Sequence, residues 1–203
     1  MKNKEFDIKE FLQTRPLSWS AISSFEWDKE QWYQSYIMRA PFIASPEMEF
    51  GKKFADSCEV GKPMAPVTML SKMEQKFNVV FNGIPLVGYA DTFDDVTKRE
   101  TGEYKTGVKK WDQKRVDGHG QITMYALMNF ITNGAKPDEC KFFLEWIPTT
   151  RTANGDFSVT IALKQPVKVH KFYTKKTMAD ILLFGVLINK VVLEMQKYVR
   201  AHA

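Results

Sequence analysis

Cysteine is scarce in this chain: Cys58 and Cys140 are the only two among 203 residues, far apart and in no C-x-x-C pair. That spacing excludes a disulfide framework, and it excludes a zinc or iron–sulfur site of the usual kind. A reducing, intracellular setting is the expectation. Long apolar runs are also missing. The opening MKNKEFDIKEF has no apolar core of the sort a signal peptide needs. The stretch ILLFGVLINKVVLEM at 181–195 is broken by Asn189 and Lys190, so it reads as an amphipathic core helix rather than a membrane span. There is no internal repeat, low-complexity tract or Gly/Ser/Pro-rich linker. One domain over residues 1–203 is expected, with no membrane partner.

What the chain does have is a core and an uneven charge. Hydrophobic residues make up 44% and aromatics 13%, enough for one substantial interior. The net charge is +5, and the excess gathers in one place. Lys98, Arg99, Lys105, Lys109, Lys110, Lys114 and Arg115 crowd around Trp111. Such a segment suits a polyanion, with Trp111 offering a ring to a base and the cations contacting phosphates, and it equally suits a solvated loop.

Periodicity divides the chain in order. A helix is predicted from Ser18 or Ser20 to just before Pro41, with Ile22, Phe25, Trp32, Tyr36 and Ile37 on one stripe. A second is predicted over 46–60, with Met48, Phe54 and Cys58 inward and Gly61 as its stop. The pattern then turns to period two. Strands are expected at 76–81, 84–93 and 98–106, the first pair joined by Asn82-Gly83 as a hairpin. A helix at 117–133, ended by Gly134, separates them from strands at 140–147 and 157–163, and a last helix covers 174–200. The order ααβββαββα describes an α/β fold, a mixed sheet flanked by helices with 117–133 as the crossover. Trp19, Trp27, Trp32 and Trp146 are expected in the core, while His170 and His202 have no partner pattern.

The stretch GYADTFDDVTKRETGEYKTG at 88–107 carries the chemistry. A turn centred near Thr97 sets Asp91 opposite Glu103 and Tyr89 opposite Lys105. Alternation puts Glu103 and Lys105 on one face and Tyr104 on the other. Like charges facing each other destabilise a sheet, yet at about 5 Å between Cβ atoms two carboxylates can share one hard cation. The acid-x-Lys pattern is weak alone, since it also occurs at Asp7, Glu74, Asp112 and Glu139. Only the copy at Glu103 has an acid on the preceding strand, small neighbours (Gly88, Ala90, Gly102, Gly107) and polar residues on the next helix. The alternative is a plain exposed salt bridge.

With these residues in view, the chain resembles the PD-(D/E)XK nuclease superfamily, in particular its RecB-like exonuclease branch, whose sheet is of the restriction-endonuclease type. Residues 17–37, LSWSAISSFEWDKEQWYQSYI, are similar to that branch's first helix. Gly88-Tyr89-Ala90-Asp91 is similar to its Gly-x-x-Asp strand, and Gly102-Glu103-Tyr104-Lys105-Thr106-Gly107 to its acid-x-Lys-Thr-Gly strand. Gln121-Ile122-Thr123-Met124-Tyr125 matches its Gln-x-x-x-Tyr. The resemblance spans 17 to about 130. It implies that Asp91, Glu103 and the Tyr104 backbone carbonyl bind Mg²⁺ or Mn²⁺, that Lys105 orients the attacking water, and that Gln121 and Tyr125, on one helix face, hold Lys105 or a DNA phosphate. His119 and the cations 109–115 are the further candidates for DNA contact.

Two departures accompany it. The branch's helix histidine, in Gly-x-x-x-His, is a metal ligand; here Gly51 is followed four residues later by Ala55. Glu59, one turn on, is the favoured substitute, with Glu49 and Asp56 nearby. Trp27-Asp28 stands where iron–sulfur members carry cysteine, so no cluster is expected. The resemblance implies a DNA exonuclease of recombination, repair or phage DNA metabolism, working in the cytoplasm (a host's, if phage-encoded) with a recombination or replication protein as a further partner. The alternatives are a structure-specific endonuclease and a catalytically inactive nucleic-acid-binding protein on the same fold.

Overall fold

Asn82 and Gly83 both take positive φ, 49° and 75°, which matches the right-handed twist of the strands they join. This turn fixes the register of β1 (Lys72–Phe81) against β2 (Ile84–Phe93), antiparallel from Phe81↔Ile84 to Lys72↔Phe93. The computed structural model describes residues 6–155 and 158–202. β3 (Glu100–Gly107) returns antiparallel to β2, and β4 (Lys141–Ala153) lies parallel to β3 along 100–107. The parallel step needs a crossover, supplied by the helix Gly120–Asn133. β5 (Val159–Leu163) pairs with the outer half of β4 and β6 (His170–Thr174) with its inner half. The result is the expected mixed sheet, six-stranded, with helices packed on it.

The helices are α1 (Ile8–Thr14), α2 (Trp19–Trp27), α3 (Lys29–Trp32) running into a π-helical turn (Tyr33–Ile37), α4 (Pro46–Glu59), α5 (Gln113–Asp117), α6 (Gly120–Asn133) and α7 (Met178–His202). The larger core cluster joins α1, α2, α6 and α7 to the sheet through Leu12, Ile22, Leu86, Met128, Leu144 and Ile188. A smaller one, Phe54, Cys58, Tyr104 and Ile147, seats α4 against β3. No helix among the described residues is long and apolar enough to cross a membrane.

Several expectations are corrected. The single helix from Ser18 to Pro41 is broken at Asp28, whose extended backbone (φ −152°) and side chain, accepting from Gln31 N at 2.9 Å, start a new helix. The break turns Trp27 outward at 89% exposure, so it is not a core residue. Met48 is likewise exposed, at 54%, on the first turn of α4. α1 was not anticipated; Asp7 caps it, and Gln196 of α7 both accepts from Ile8 N and donates to Phe6 O. The charged segment around Trp111 contains a short helix, α5, capped by Asp112. β6 lies in what read as a connector. α7 begins at Met178, where Thr177 and Asp180 cap each other reciprocally. Phe157, the first residue of the predicted fifth strand, lies outside the described residues.

Gly102 explains itself by close approach. A Cβ there would stand 2.2 Å from Phe143 Cζ and 2.7 Å from Thr92 Cγ2. Gly102→Ala is therefore expected to cost about 1–3 kcal/mol through overpacking, read as a lower urea midpoint with an unchanged m-value.

Candidate active site

Asp91 and Glu103 meet because two ladders open at the same level. In β1–β2 the pairs Gln75↔Ala90 and Met73↔Thr92 flank Glu74 and Asp91, which the ladder skips. Glu74 sits at φ 47°, a backbone region that non-glycine residues rarely occupy. In β2–β3 only Thr92↔Gly102 and Phe93↔Thr101 pair. This is the anticipated register, and continuing it would bring Asp91 beside Glu103. Instead the strands part there, and the Asp91 carboxylate accepts the Tyr104 backbone N–H at 2.5 Å.

Glu103 is 3% exposed. Its Oε1 accepts from Lys105 Nζ at 2.5 Å, and its Oε2 lies 2.9 Å from the Tyr125 hydroxyl. Lys105 also donates to Gln121 Oε1 at 2.9 Å, and Gln121 Nε2 donates to the Tyr125 hydroxyl at 2.6 Å. That hydroxyl also meets the Tyr89 carbonyl. Gln121 and Tyr125 share a face of α6, four residues apart. α6 comes this close because Gly88 has no side chain: a Cβ there would stand 3.0 Å from Met128 Sδ and 3.2 Å from the Tyr125 ring.

The electrostatics follow from burial of like charges. Burial, and then the Glu103 carboxylate, push Asp91 well above the usual aspartate range against the opposing pull of Lys105 and the Tyr104 N–H. For Lys105 burial acts downward, but Glu103 and Asp91 outweigh it and hold the ammonium above the ordinary lysine value. Burial, then Glu103 and Asp91, also push the Tyr125 phenol far up, so it stays protonated. Lys105 is thus a fixed cation at neutral pH. Together with Gln121 it forms a clamp whose donors are held by the sheet and by α6.

Other predicted residues fall elsewhere. Glu59 ends α4, exposed, and shares a hydrogen bond with Glu74; burial and then this contact raise the Glu74 pKa. Glu74 is itself close enough to Asp91 to raise its pKa. Sequence reasoning passed over Glu74, although the Asn82-Gly83 turn counts it back to the level of Asp91. Ala55 is half-buried, one turn on from Gly51, where a Cβ would contact Thr106 Oγ1 at 3.5 Å. Lys109, Lys110, Lys114 and Arg115 are exposed beyond the end of β3.

Trp111 is a correction. It is 7% exposed in the main core cluster, with the Arg115 guanidinium 3.7 Å above its ring and the His119 ring 5.0 Å away, so it has no free face for a base. Tyr125 is buried at 2% and directed inward, which removes it from direct DNA contact. His119 precedes α6 with Nδ1 buried and unpartnered. Burial, and then Lys105, push it down to about 3. It is neutral at physiological pH and offers no charge to a phosphate.

Among the described residues no three His, Cys, Asp or Glu side chains stand together so as to hold a metal ion. The donor chemistry nonetheless fits Mg²⁺ or Mn²⁺. Mg²⁺ is held by one or two carboxylates with water and substrate phosphate, not by an all-protein cage, and two converging carboxylates short of positive charge are present. Asp91 and Glu103 would hold it.

No protein-family model matches the chain, and no curated protein matches it. Solved structures do. One is a protein from Eubacterium rectale provisionally named an exonuclease, with TM-score 0.62 and 12% identity over 98% of this chain and 86% of that one. Another is SSO0001, with TM-score 0.44 and 13% identity over 92% and 83%. The first shares this fold, a mixed sheet flanked by helices.

Proposed function

We propose that this protein is a metal-dependent deoxyribonuclease of the PD-(D/E)XK, RecB-like kind, an exonuclease that hydrolyses DNA phosphodiester bonds. One observation carries the reading: an ammonium held between Glu103 and Gln121 beside a second, half-buried carboxylate, Asp91. The nuclease-like fold of the Eubacterium rectale protein, and that protein's name, add support.

Each residue has a task that follows from its contacts. Asp91 and Glu103 would seat a divalent cation, which when bound supplies Lewis acidity at the phosphoryl oxygen and offsets their mutual repulsion. Lys105 keeps its proton, so it acts as a donor and fixed charge rather than a base: it orients water and offsets negative charge developing on the phosphoryl oxygens. Gln121 positions Lys105, and Tyr125 positions Gln121 through hydrogen bonds rather than touching DNA. The exposed cations Lys109, Lys110, Lys114 and Arg115 draw in the phosphate backbone, which makes binding steeply salt-dependent.

The test is purified protein with end-labelled linear and circular DNA in Mg²⁺, in Mn²⁺ and in chelator. Cleavage of the linear form is expected with either metal, none in chelator, and full recovery when metal is restored. Cutting of closed circles would make the enzyme an endonuclease. Absence of cleavage with both metals, alongside intact DNA binding, would replace the enzyme with a binding protein.

A further inference from the structure

The parallel register of β3 and β4, and the antiparallel register of β4 and β6, line up Lys105, Trp146 and His170 in one row across the sheet. Neighbouring strands lie about 4.8 Å apart, so His170 stands two spacings, about 10 Å, from Lys105. At that end of the row is a cavity of about 480 Å³ lined by Trp146 and His170. Val108, the residue after β3, forms another wall, so the cavity opens at the same strand end as the Lys105 clamp.

Its lining has two chemical halves. One is apolar: Val108, Pro148 and Pro166, with the exposed His170 ring backed at 5.0 Å by the Trp146 indole, which is buried at 7% exposure and fixed by donation to Gly107 O at 3.0 Å. The other is cationic: Arg151, Lys164 and Lys168, with no carboxylate in the lining. Arg151 pairs with Glu47 at 3.3 Å, whereas Lys164 and Lys168 are exposed and pair with no carboxylate among the described residues. The Thr149 hydroxyl is buried without a partner in the same wall. Apolar surface beside unpaired ammonium groups matches a base and sugar with their phosphates. The volume suits a ligand of that size.

We infer that this cavity binds a nucleotide of a single DNA strand, within one or two nucleotides of the phosphate addressed by Lys105, with Lys164 and Lys168 on the flanking phosphates. The inference rests on the nuclease reading for its substrate. It also predicts that the strand is unpaired where it passes from the clamp to β6.

Binding in chelator separates the two ideas, because no cleavage step is involved. With a short fluorescent single-stranded DNA in chelator, Lys164→Ala/Lys168→Ala in the full chain is expected to weaken affinity about tenfold. It is also expected to make the slope of log affinity on log salt shallower by about 1.4, for two lost contacts at about 0.7 each. Lys190→Ala/Lys197→Ala, equal in charge loss but on α7, is the control. Unchanged affinity in the first variant, or equal loss in both, would overturn the site. Photo-crosslinking of a 5-iododeoxyuridine strand to the native protein is expected to label peptides from 146–170. Labelling confined to 109–115 would overturn it as well. Failure of the nuclease reading shows separately, as no cleavage of linear DNA by the native protein in Mg²⁺ or in Mn²⁺.

Discussion

Lys105→Ala is expected to reduce cleavage of linear DNA by roughly 10²–10⁴-fold, the range of a lost proton-handling or charge-stabilising group, with DNA affinity within about twofold of the native protein. Glu103→Ala should do at least as much, since it removes a proposed cation ligand and also releases Lys105 from its 2.5 Å partner. Lys105→Ala also strips the buried Glu103 of its cation, which lowers stability, so urea midpoints are read beside the rates and cleavage is compared at temperatures where each variant is folded. The informative comparison is with Tyr125→Phe. That change leaves every charge in place but frees Gln121, so it should lower kcat by a smaller factor, with KM little changed, as befits a positioning residue. Single-turnover cleavage in Mg²⁺ for all three, with anisotropy in chelator, gives both quantities. Native rates in Lys105→Ala and Glu103→Ala would remove these residues from the site.

A large stability effect is also expected away from the charged hairpin, at Lys171→Met. Glu145, on β4, is 2% exposed. It accepts from Thr68 N at 2.8 Å and Thr68 Oγ1 at 2.5 Å, and among the described residues its only ion-pair partner is Lys171 at 3.7 Å. Removing the ammonium leaves a buried carboxylate uncompensated, a change that costs about 3–5 kcal/mol. Methionine keeps the apolar stem against the Phe143 ring, over which the Lys171 ammonium lies at 3.8 Å. Adding Glu145→Gln, which can still accept from Thr68, should recover most of the loss, because the amide carries no charge to compensate. Urea unfolding of the two single variants and the double variant gives the coupling. A Lys171→Met midpoint equal to the native one would show that Thr68 and solvent suffice for Glu145.

The site was legible in unequal parts, and the differences are physical. Glu103, Lys105 and Tyr104 could be sorted by face because a strand alternates with period two. Gln121 and Tyr125 could be paired because a helix brings residues four apart together. What failed was exposure. Trp111 sits among lysines in sequence, yet α5 folds it inward beneath Arg115, and no local pattern encodes that burial. Trp27 failed in the opposite sense, since the Asp28 cap breaks the helix on which its stripe was counted. Glu145 and Lys171 were invisible as a pair: they lie on strands joined through residues 154–169, and β6 is too short to announce itself.

The sequence by itself determined the first five strands, the hairpin turn, the crossover helix and the face on which the acid-x-Lys pair lies, because these depend on local periodicity and on turn chemistry at Asn82-Gly83. Only the tertiary structure decided that β2 and β3 part at Asp91, that Gln121 grips the ammonium, and that a cationic cavity continues the Lys105 row. Those outcomes depend on how closely α6 approaches Gly88 and on which strand edge β6 takes. Both are set by packing between segments far apart in the chain, where neither periodicity nor propensity carries information.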